Sequence, residues 1–328
     1  MTVFRLIEDH DGSGWAAALD GIPHGIAHTH RFASLMARAA GVRAVLFVAE
    51  SDDSKFVCPF AERSWGGARD IFSPYGFAGF AGSGDVAVLR RAWQTFADVN
   101  AYVAAFITQN PLVMPEGIDG TWPGIDLAAR TLYRIDLNKS AEERMTWVSA
   151  RTRSGLRKWL AEASVETDQA LLAEAFVRLY PAFAERKAMS ELYRFSDEVL
   201  RDLVVLPGTY LAGARDADGD VSCVVLMAAT PACGDYLFMA SSPVGHADGT
   251  GVLWCGLEAM AQRDVPVCNL GGGIREGDGV AEFKRRLGGE PFGLCVIRQV
   301  FDAPRYQALC ATAGCDPDKT DFFPAYYR

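Results

Sequence analysis

The order of patterns between residues 209 and 288 constrains this chain most. Thr209–Arg215 and Val221–Thr230 read as strands, and the turn chemistry of Asp216-Ala-Asp-Gly-Asp220 between them predicts an antiparallel hairpin. A third strand pattern, DYLFMASS, runs into the loop Pro243–Gly251; a helical pattern over Val252–Arg263 follows, then the strand PVCNL, which ends in Gly271-Gly272-Gly273. The first half alternates in the same way. It has strands at Val3–Ile7, VRAVLFVAE, Cys58–Glu62, YVAAFIT and Thr131–Asp136, and helices at His30–Ala40 and Val86–Asn100. Thr29 is placed to cap the first of these helices and Gly41 to stop it. Between the halves lie helical patterns at Ala141–Ala163, Gln169–Arg186, interrupted or kinked at Pro181, and Asp197–Leu206. Ser140 with Glu143 three positions on forms a capping box at the start of the first of these. Two halves of similar content fit a duplicated α/β domain.

Composition narrows the class. Half of the 328 residues are apolar and the net charge is −9, so the chain can bury a large core but lacks a global field that attracts nucleic acid. No DNA partner is expected, and any RNA or phosphate contact must come from a local basic patch. The eight cysteines are scattered without a C-x-x-C pair and read as small buried hydrophobes in a reducing compartment. No apolar run reaches the ~18 residues of a membrane span, and the acidic, glycine-bearing start is unlike a signal peptide. A cytoplasmic protein without a membrane span is expected. His24, His28 and His30 have only Asp20 nearby as a further ligand and read as a loop and helix start, so no metal is expected.

Three segments suggest chemistry. His246-Ala-Asp-Gly-Thr-Gly251 lies between a strand and a helix, where Gly249 and Gly251 would let backbone N–H groups approach a phosphate. The spacing resembles the Q/R-x-x-G-x-G/A loop that binds the coenzyme A pyrophosphate in the GNAT acyltransferase fold, with His246 departing from the first position; a plain glycine turn is the other reading. The second is Gly271-Gly272-Gly273 followed about ten residues later by Phe283-Lys284-Arg285 and then Gly288. The third is Ser73-Pro-Tyr-Gly-Phe-Ala-Gly79. The second and third segments together resemble the signatures of FemABX-like transferases within the GNAT superfamily, as do the helix Arg153–Val165 and the recurring aromatic and basic residues of Phe176–Phe195. The resemblance spans most of the chain.

It implies two GNAT-like domains with mixed, mostly antiparallel sheets flanked by helices, over residues 1–138 and 139–304, with a tail from about 305 to 328 returning to the first. It implies an amide-forming transferase with no tightly bound cofactor. The donor co-substrate would be an aminoacyl-tRNA, held at its acceptor end, and the acceptor an amine of a small molecule or a peptidoglycan precursor. An acyl-CoA-dependent N-acetyltransferase is the alternative, and a catalytically silent binding protein of the same fold a second. By motif position Phe283 and Lys284 match the family's reaction centre, while Arg186 and Tyr193 fall where acceptor contacts occur. Gly249, Gly251, Gly271, Gly272, Gly273 and Arg285 are the candidates for holding the donor.

The residue types suit that chemistry. An amine attacking an ester or thioester builds negative charge on the carbonyl oxygen, which a fixed cation or backbone N–H stabilises; Lys284 and the triple glycine are the candidates. Asp278 and Glu282 are the nearest acids in sequence to Lys284, but nothing in the sequence makes either the base. Tyr75, Phe77 and Phe80 either line an acceptor pocket, with Tyr75 as the contact, or pack in a core. Arg151-Thr-Arg-Ser-Gly-Leu-Arg-Lys158 is the densest basic stretch; it either meets RNA phosphates or forms a solvated face neutralised by Glu142, Glu143, Glu162 and Glu166.

Overall fold

A computed structural model describes residues 3–273, 275, 277–317 and 322–327. The chain forms two compact units, Met1–Ala129 with Gly293–Arg328, and Arg130–Phe292. The first contains β1 (Val3–Glu8), α1 (Gly12–Leu19), α2 (His30–Ala39), β2 (Ala44–Ser51), β3 (Ser54–Trp65), β4 (Ala68–Phe72), β5 (Ala81–Ser83), α3 (Val86–Val99) and β6 (Tyr102–Thr108). The chain leaves it along β7 (Ile125–Asp136). The second contains α4 (Ala141–Trp147), α5 (Ala150–Glu162), β8 (Val165–Glu166), α6 (Gln169–Arg186), α7 (Asp197–Val204), β9 (Thr209–Arg215), β10 (Val221–Ala229), β11 (Gly234–Ser241), α8 (Gly249–Ala261), β12 (Val267–Gly272) and α9 (Gly279–Arg286). The chain returns along β13 (Glu290–Val300) and ends with α10 (Ala303–Ala313) and a short turn at Ala325–Tyr327.

Both units carry the same sheet. In the first the order is β1-β2-β3-β4-β6-β13; in the second it is β8-β9-β10-β11-β12-β7. Each is antiparallel except for one parallel pair, β4 with β6 and β11 with β12. The cores explain the pattern: in the second unit Cys223, Val225 and Met227 of β10 cluster with Leu253, Leu257 and Met260 of α8, while in the first Phe47 and Phe96 pack on Trp93 and Phe60 packs on Phe96. Because β13 supplies the last strand of the first sheet, the first unit resumes at Gly293 rather than near 305, and the division falls inside β7 rather than at 138. The tail is anchored within the first unit: the Tyr326 hydroxyl donates to Asp70 Oδ1 at 2.5 Å, and the Ala325 N–H to the Tyr306 hydroxyl at 3.1 Å.

Several local expectations change. The single helix expected over 141–163 is two helices, because Gly288 packs against Trp147 and the Ser149 N–H donates to the Arg286 carbonyl at 2.9 Å. Thr29 sits at the start of α2, but its hydroxyl turns back to the Ile26 carbonyl. Pro181 is carried inside an unbroken α6. Asp70 and Ile71 are residues of β4, and the aromatic loop begins at Ser73, as expected. The Ser140–Glu143 capping box forms, with the Ser140 N–H donating to Glu143 at 2.9 Å. Among the described residues no helix is long and apolar enough to cross a membrane.

Candidate active site

The two parallel pairs are not alike. In the first unit β4 pairs with β6 at Arg69, Ile71 and Phe72, with a register shift after Arg69, and so to the end of β4. In the second, β11 and β12 pair only at Gly234↔Cys268 and Asp235↔Asn269, although β11 runs on to Ser241. Past Asp235 the strands part, and a register shift between Leu226 and Met227 in the pairing of β10 with β11 adds a bulge there. Tyr236 thereby joins the α8-facing core while Phe238 packs against Tyr180 and Phe195 on the α6 side. A parted parallel pair leaves backbone groups available at strand ends, which is where open α/β sheets place ligands.

Lys284 lies beside this opening. Asp278 caps α9 by accepting from the Val280 and Ala281 N–H groups at 3.0 and 2.8 Å, and it also accepts from the Arg275 N–H at 2.9 Å. The capped helix turns Lys284 inward until it is only 5% exposed. Its Nζ donates to the Gly272 carbonyl at 2.7 Å and sits 5.7 Å from the centre of the Tyr236 ring. Burial pulls the ammonium down to about 8, against the opposing attraction of Asp278. An ammonium has three donors, and only one here has a hydrogen-bond acceptor among the described residues. A buried cation so poorly partnered is costly, and poised near neutral pH it is suited to meeting a charge that appears only during reaction.

The triple glycine is the other wall. Gly271 adopts φ +71°, and a Cβ there would stand 3.3 Å from Lys284 Nζ, so glycine serves both the left-handed turn and the approach of the lysine. Its N–H donates to Asn269 Oδ1 at 2.8 Å, while Asn269 Nδ2 donates to Asp235 at 3.2 Å. The Gly271 N–H is therefore engaged, and the Gly272 carbonyl holds Lys284. Gly273 packs so tightly on Asp278 that a Cβ would meet its carboxylate. Asp235 is buried, and that burial pushes its carboxyl up to about 7. Sequence reading missed Asp235 and Asn269, since a polar residue inside a strand gives no sign of its partner.

The other nominated residues fall elsewhere. Phe283 packs half-buried against the second unit's core. Arg285 is exposed and bonded to Glu282, as is Arg286, and these two cations hold the Glu282 carboxylate down to about 2. The stretch expected as a phosphate loop is a 3-10 turn, Val244–Asp248, running straight into α8; Gly249 is helical, at φ −52°. The space left by Gly251 is filled by the Trp159 ring, with a Cβ position 2.1 Å from its Cε3, and the indole N–H donates to Asp248 at 2.8 Å. Arg186 donates to the Ser241 carbonyl at the end of β11, five residues or roughly 17 Å along the strand from Tyr236. The Tyr193 carbonyl accepts from the Tyr180 hydroxyl at 2.9 Å, leaving its ring partly exposed.

In the first unit Tyr75 is half-buried beside a cavity of about 10 Å³, and Phe80 is core, packed on Trp93 and Trp122. His28 is buried, and this burial drives its ring down to about 3. Among the described residues no group of three or more His, Cys, Asp or Glu could hold a metal. A recess of about 670 Å³ between α6 and α7, lined in part by Glu174, Arg178, Asp197 and Arg201, includes none of the nominated residues.

No protein-family model and no curated protein sequence matches the chain. Solved structures do. A crystal structure of FemX superposes with a TM-score of 0.67 at 13% identity, covering 90% of this chain and 98% of that one. The C-terminal domain of a putative lysylphosphatidylglycerol synthetase from Agrobacterium fabrum gives 0.54 at 12% identity, covering 88% and 92%. L-PGS from Bacillus licheniformis gives 0.54 at 12%, covering 88% and 91%. The likeness is one of fold: the chain has the fold of FemX, and its glycine and Phe-Lys motifs resemble those of the FemABX-like transferases.

Proposed function

We propose that this protein is an amide-forming aminoacyltransferase, moving an aminoacyl group from aminoacyl-tRNA to the amine of a small molecule or a cell-wall precursor. The observation that carries the reading is Lys284, a buried ammonium with one hydrogen-bond acceptor among the described residues, at the mouth of a parted parallel strand pair. The acceptor nitrogen attacks the ester carbonyl carbon; a C–N bond forms, the C–O bond to the ribose breaks, and the proton lost by the amine ends on the released ribose hydroxyl. Negative charge gathers on the carbonyl oxygen between those events. The two remaining Lys284 donors meet that oxygen, supported by a helix whose N-terminal cap holds the lysine inward. The bond to Gly272 fixes Nζ before the substrate arrives, so little reorganisation accompanies charge development.

Two features favour an aminoacyl ester over acyl-CoA. Trp159 fills the room that Gly251 would have offered a pyrophosphate. One structure that shares the fold, the C-terminal domain of a putative lysylphosphatidylglycerol synthetase, carries a lysyl group in its name, an aminoacyl group. The test is calorimetry with acetyl-CoA and desulfo-CoA beside gel-shift titration of charged and uncharged tRNA over a salt series. Salt-sensitive tRNA binding without CoA binding is the expected pattern; micromolar CoA binding with no tRNA binding contradicts the donor assignment and makes the protein an N-acetyltransferase.

A further inference from the structure

In an acidic protein, a cluster of cations without acids to neutralise it is unusual. None of the four acids in and beside α5 forms an ion pair with its cations among the described residues. Glu143 is taken up by the capping box at Ser140, and Glu166 by Arg215, whose Nε donates to it at 2.8 Å, and by the Thr167 and Asp168 N–H groups. Glu142, before α5, and Glu162, in its last turn, are exposed and make no ion pair among the described residues. The side chains of Arg151, Arg157 and Lys158 are exposed and have neither hydrogen bond nor ion pair among the described residues. Arg151 and Lys158 lie one above the other at i and i+7, with Ser154 and Gly155 between them and Arg157 on the flank. Nothing lies within 4 Å of where a Gly155 Cβ would be, so the middle of this face is open and low.

The face is rigidly held and placed near Lys284. On its opposite side α5 buries Leu156 and packs Trp159 over Gly251. At its start, the Ser149 N–H donates to the carbonyl of Arg286, two residues past Lys284. From Arg151 to Lys158 the rise is roughly 10 Å, the span of two or three phosphates of a single strand and much less than a duplex footprint.

We propose that this face of α5 grips the phosphodiester chain of the donor's single-stranded acceptor end and leads it toward Lys284. The proposal rests on the aminoacyl-tRNA reading above and names the surface that reading requires. Three phosphate contacts to a single strand contribute a salt slope of about 0.7 each, which at 0.1 M salt is roughly a hundredfold in affinity.

The experiment uses the full chain and uncharged bulk tRNA in a gel-shift salt series. The triple variant Arg151→Gln, Arg157→Gln, Lys158→Gln is expected to bind about a hundredfold more weakly at 0.1 M salt, with the slope of log K against log salt shallower by about 2. Charge-conserving Arg151→Lys, Arg157→Lys is expected to bind within threefold of the parent, and so is a control that removes three exposed cations elsewhere, Arg31→Gln, Arg91→Gln, Arg130→Gln. Unchanged tRNA binding by the α5 triple variant, or equal losses in triple and control, overturns the proposal. So does a loss confined to phosphatidylglycerol vesicles, which would make the face a membrane contact. If the parent itself binds no tRNA, the donor reading falls and this one with it. Lys284→Met is expected to abolish transfer while leaving tRNA binding intact, which separates the grip from the chemistry.

Discussion

Replacing Lys284 with methionine should make this protein more stable and inactive. Burial lowers the lysine from 10.5 to about 8, so holding it charged in the folded state costs roughly 3 kcal/mol at about 1.4 kcal/mol per pH unit. Methionine matches the length of the side chain and carries no charge, but it leaves the Gly272 carbonyl short of a donor, a loss of about 1 kcal/mol. The net is a gain of about 2 kcal/mol at pH 7, which for a chain of 328 residues is roughly 3 °C in melting temperature. The sign depends on pH. Below about 8 the lysine is charged in both states and the cost is full; between about 8 and 10.5 the folded lysine sheds its proton while the unfolded one keeps it, and the cost fades. The advantage of Lys284→Met should therefore vanish by about pH 10.5. Urea and thermal unfolding of parent and variant at pH 7 and pH 10.5 measure both. A variant less stable than the parent at pH 7, or one whose gain ignores pH, would show that the lysine is a structural post rather than a strained functional group.

Three further outcomes follow from the same geometry. The rate of transfer should fall as pH rises through about 8, when Lys284 loses its proton, and Lys284→Arg should push that falling limb out of the accessible range even where it lowers the maximum rate; a limb that stays near 8 in the arginine variant assigns it to another group. Asp235, held up to about 7 by burial, makes the folded state less stable as pH rises from about 4 to 7, so Asp235→Asn should gain a few kcal/mol at pH 8 and almost nothing at pH 4, read by urea unfolding at both; equal effects at the two pH values contradict the assignment. Gly251→Ala must displace the Trp159 ring and should cost about 1–3 kcal/mol, visible as a lower melting temperature and altered tryptophan emission, whereas a neutral result means that ring is free to move.

Much of the second unit was legible because its elements agree with their own local chemistry. The hairpin β9–β10 follows from its Asp-Gly turn, α6 from its apolar period, and the start of α4 from Ser140 and Glu143. What was not legible came from tertiary contacts. The break between α4 and α5 depends on the Arg286 carbonyl reaching Ser149, more than a hundred residues away in sequence. The glycines of His246–Gly251 fit a phosphate loop as well as they fit a helix start under a tryptophan, and only the position of Trp159 decides between them. For the candidate site the motif led to Lys284, but the Asp235–Asn269 link that holds the Gly271 N–H joins two strands through polar side chains and has no local signal. The strand β13 was missed because it is a nearly continuous apolar run without alternation, and its place beside β6 follows from topology alone.

The most direct measurement is single-turnover transfer from tRNA charged with a mixture of radiolabelled amino acids to hydroxylamine, a small amine that stands in for the unidentified acceptor, read as aminoacyl hydroxamate against the uncatalysed background. The account predicts a rate well above background for the parent, a loss on the order of a hundredfold or more with Lys284→Met, and no effect of added acetyl-CoA. Hydroxamate formation at the background rate by the parent, or at the parental rate by Lys284→Met, would contradict it.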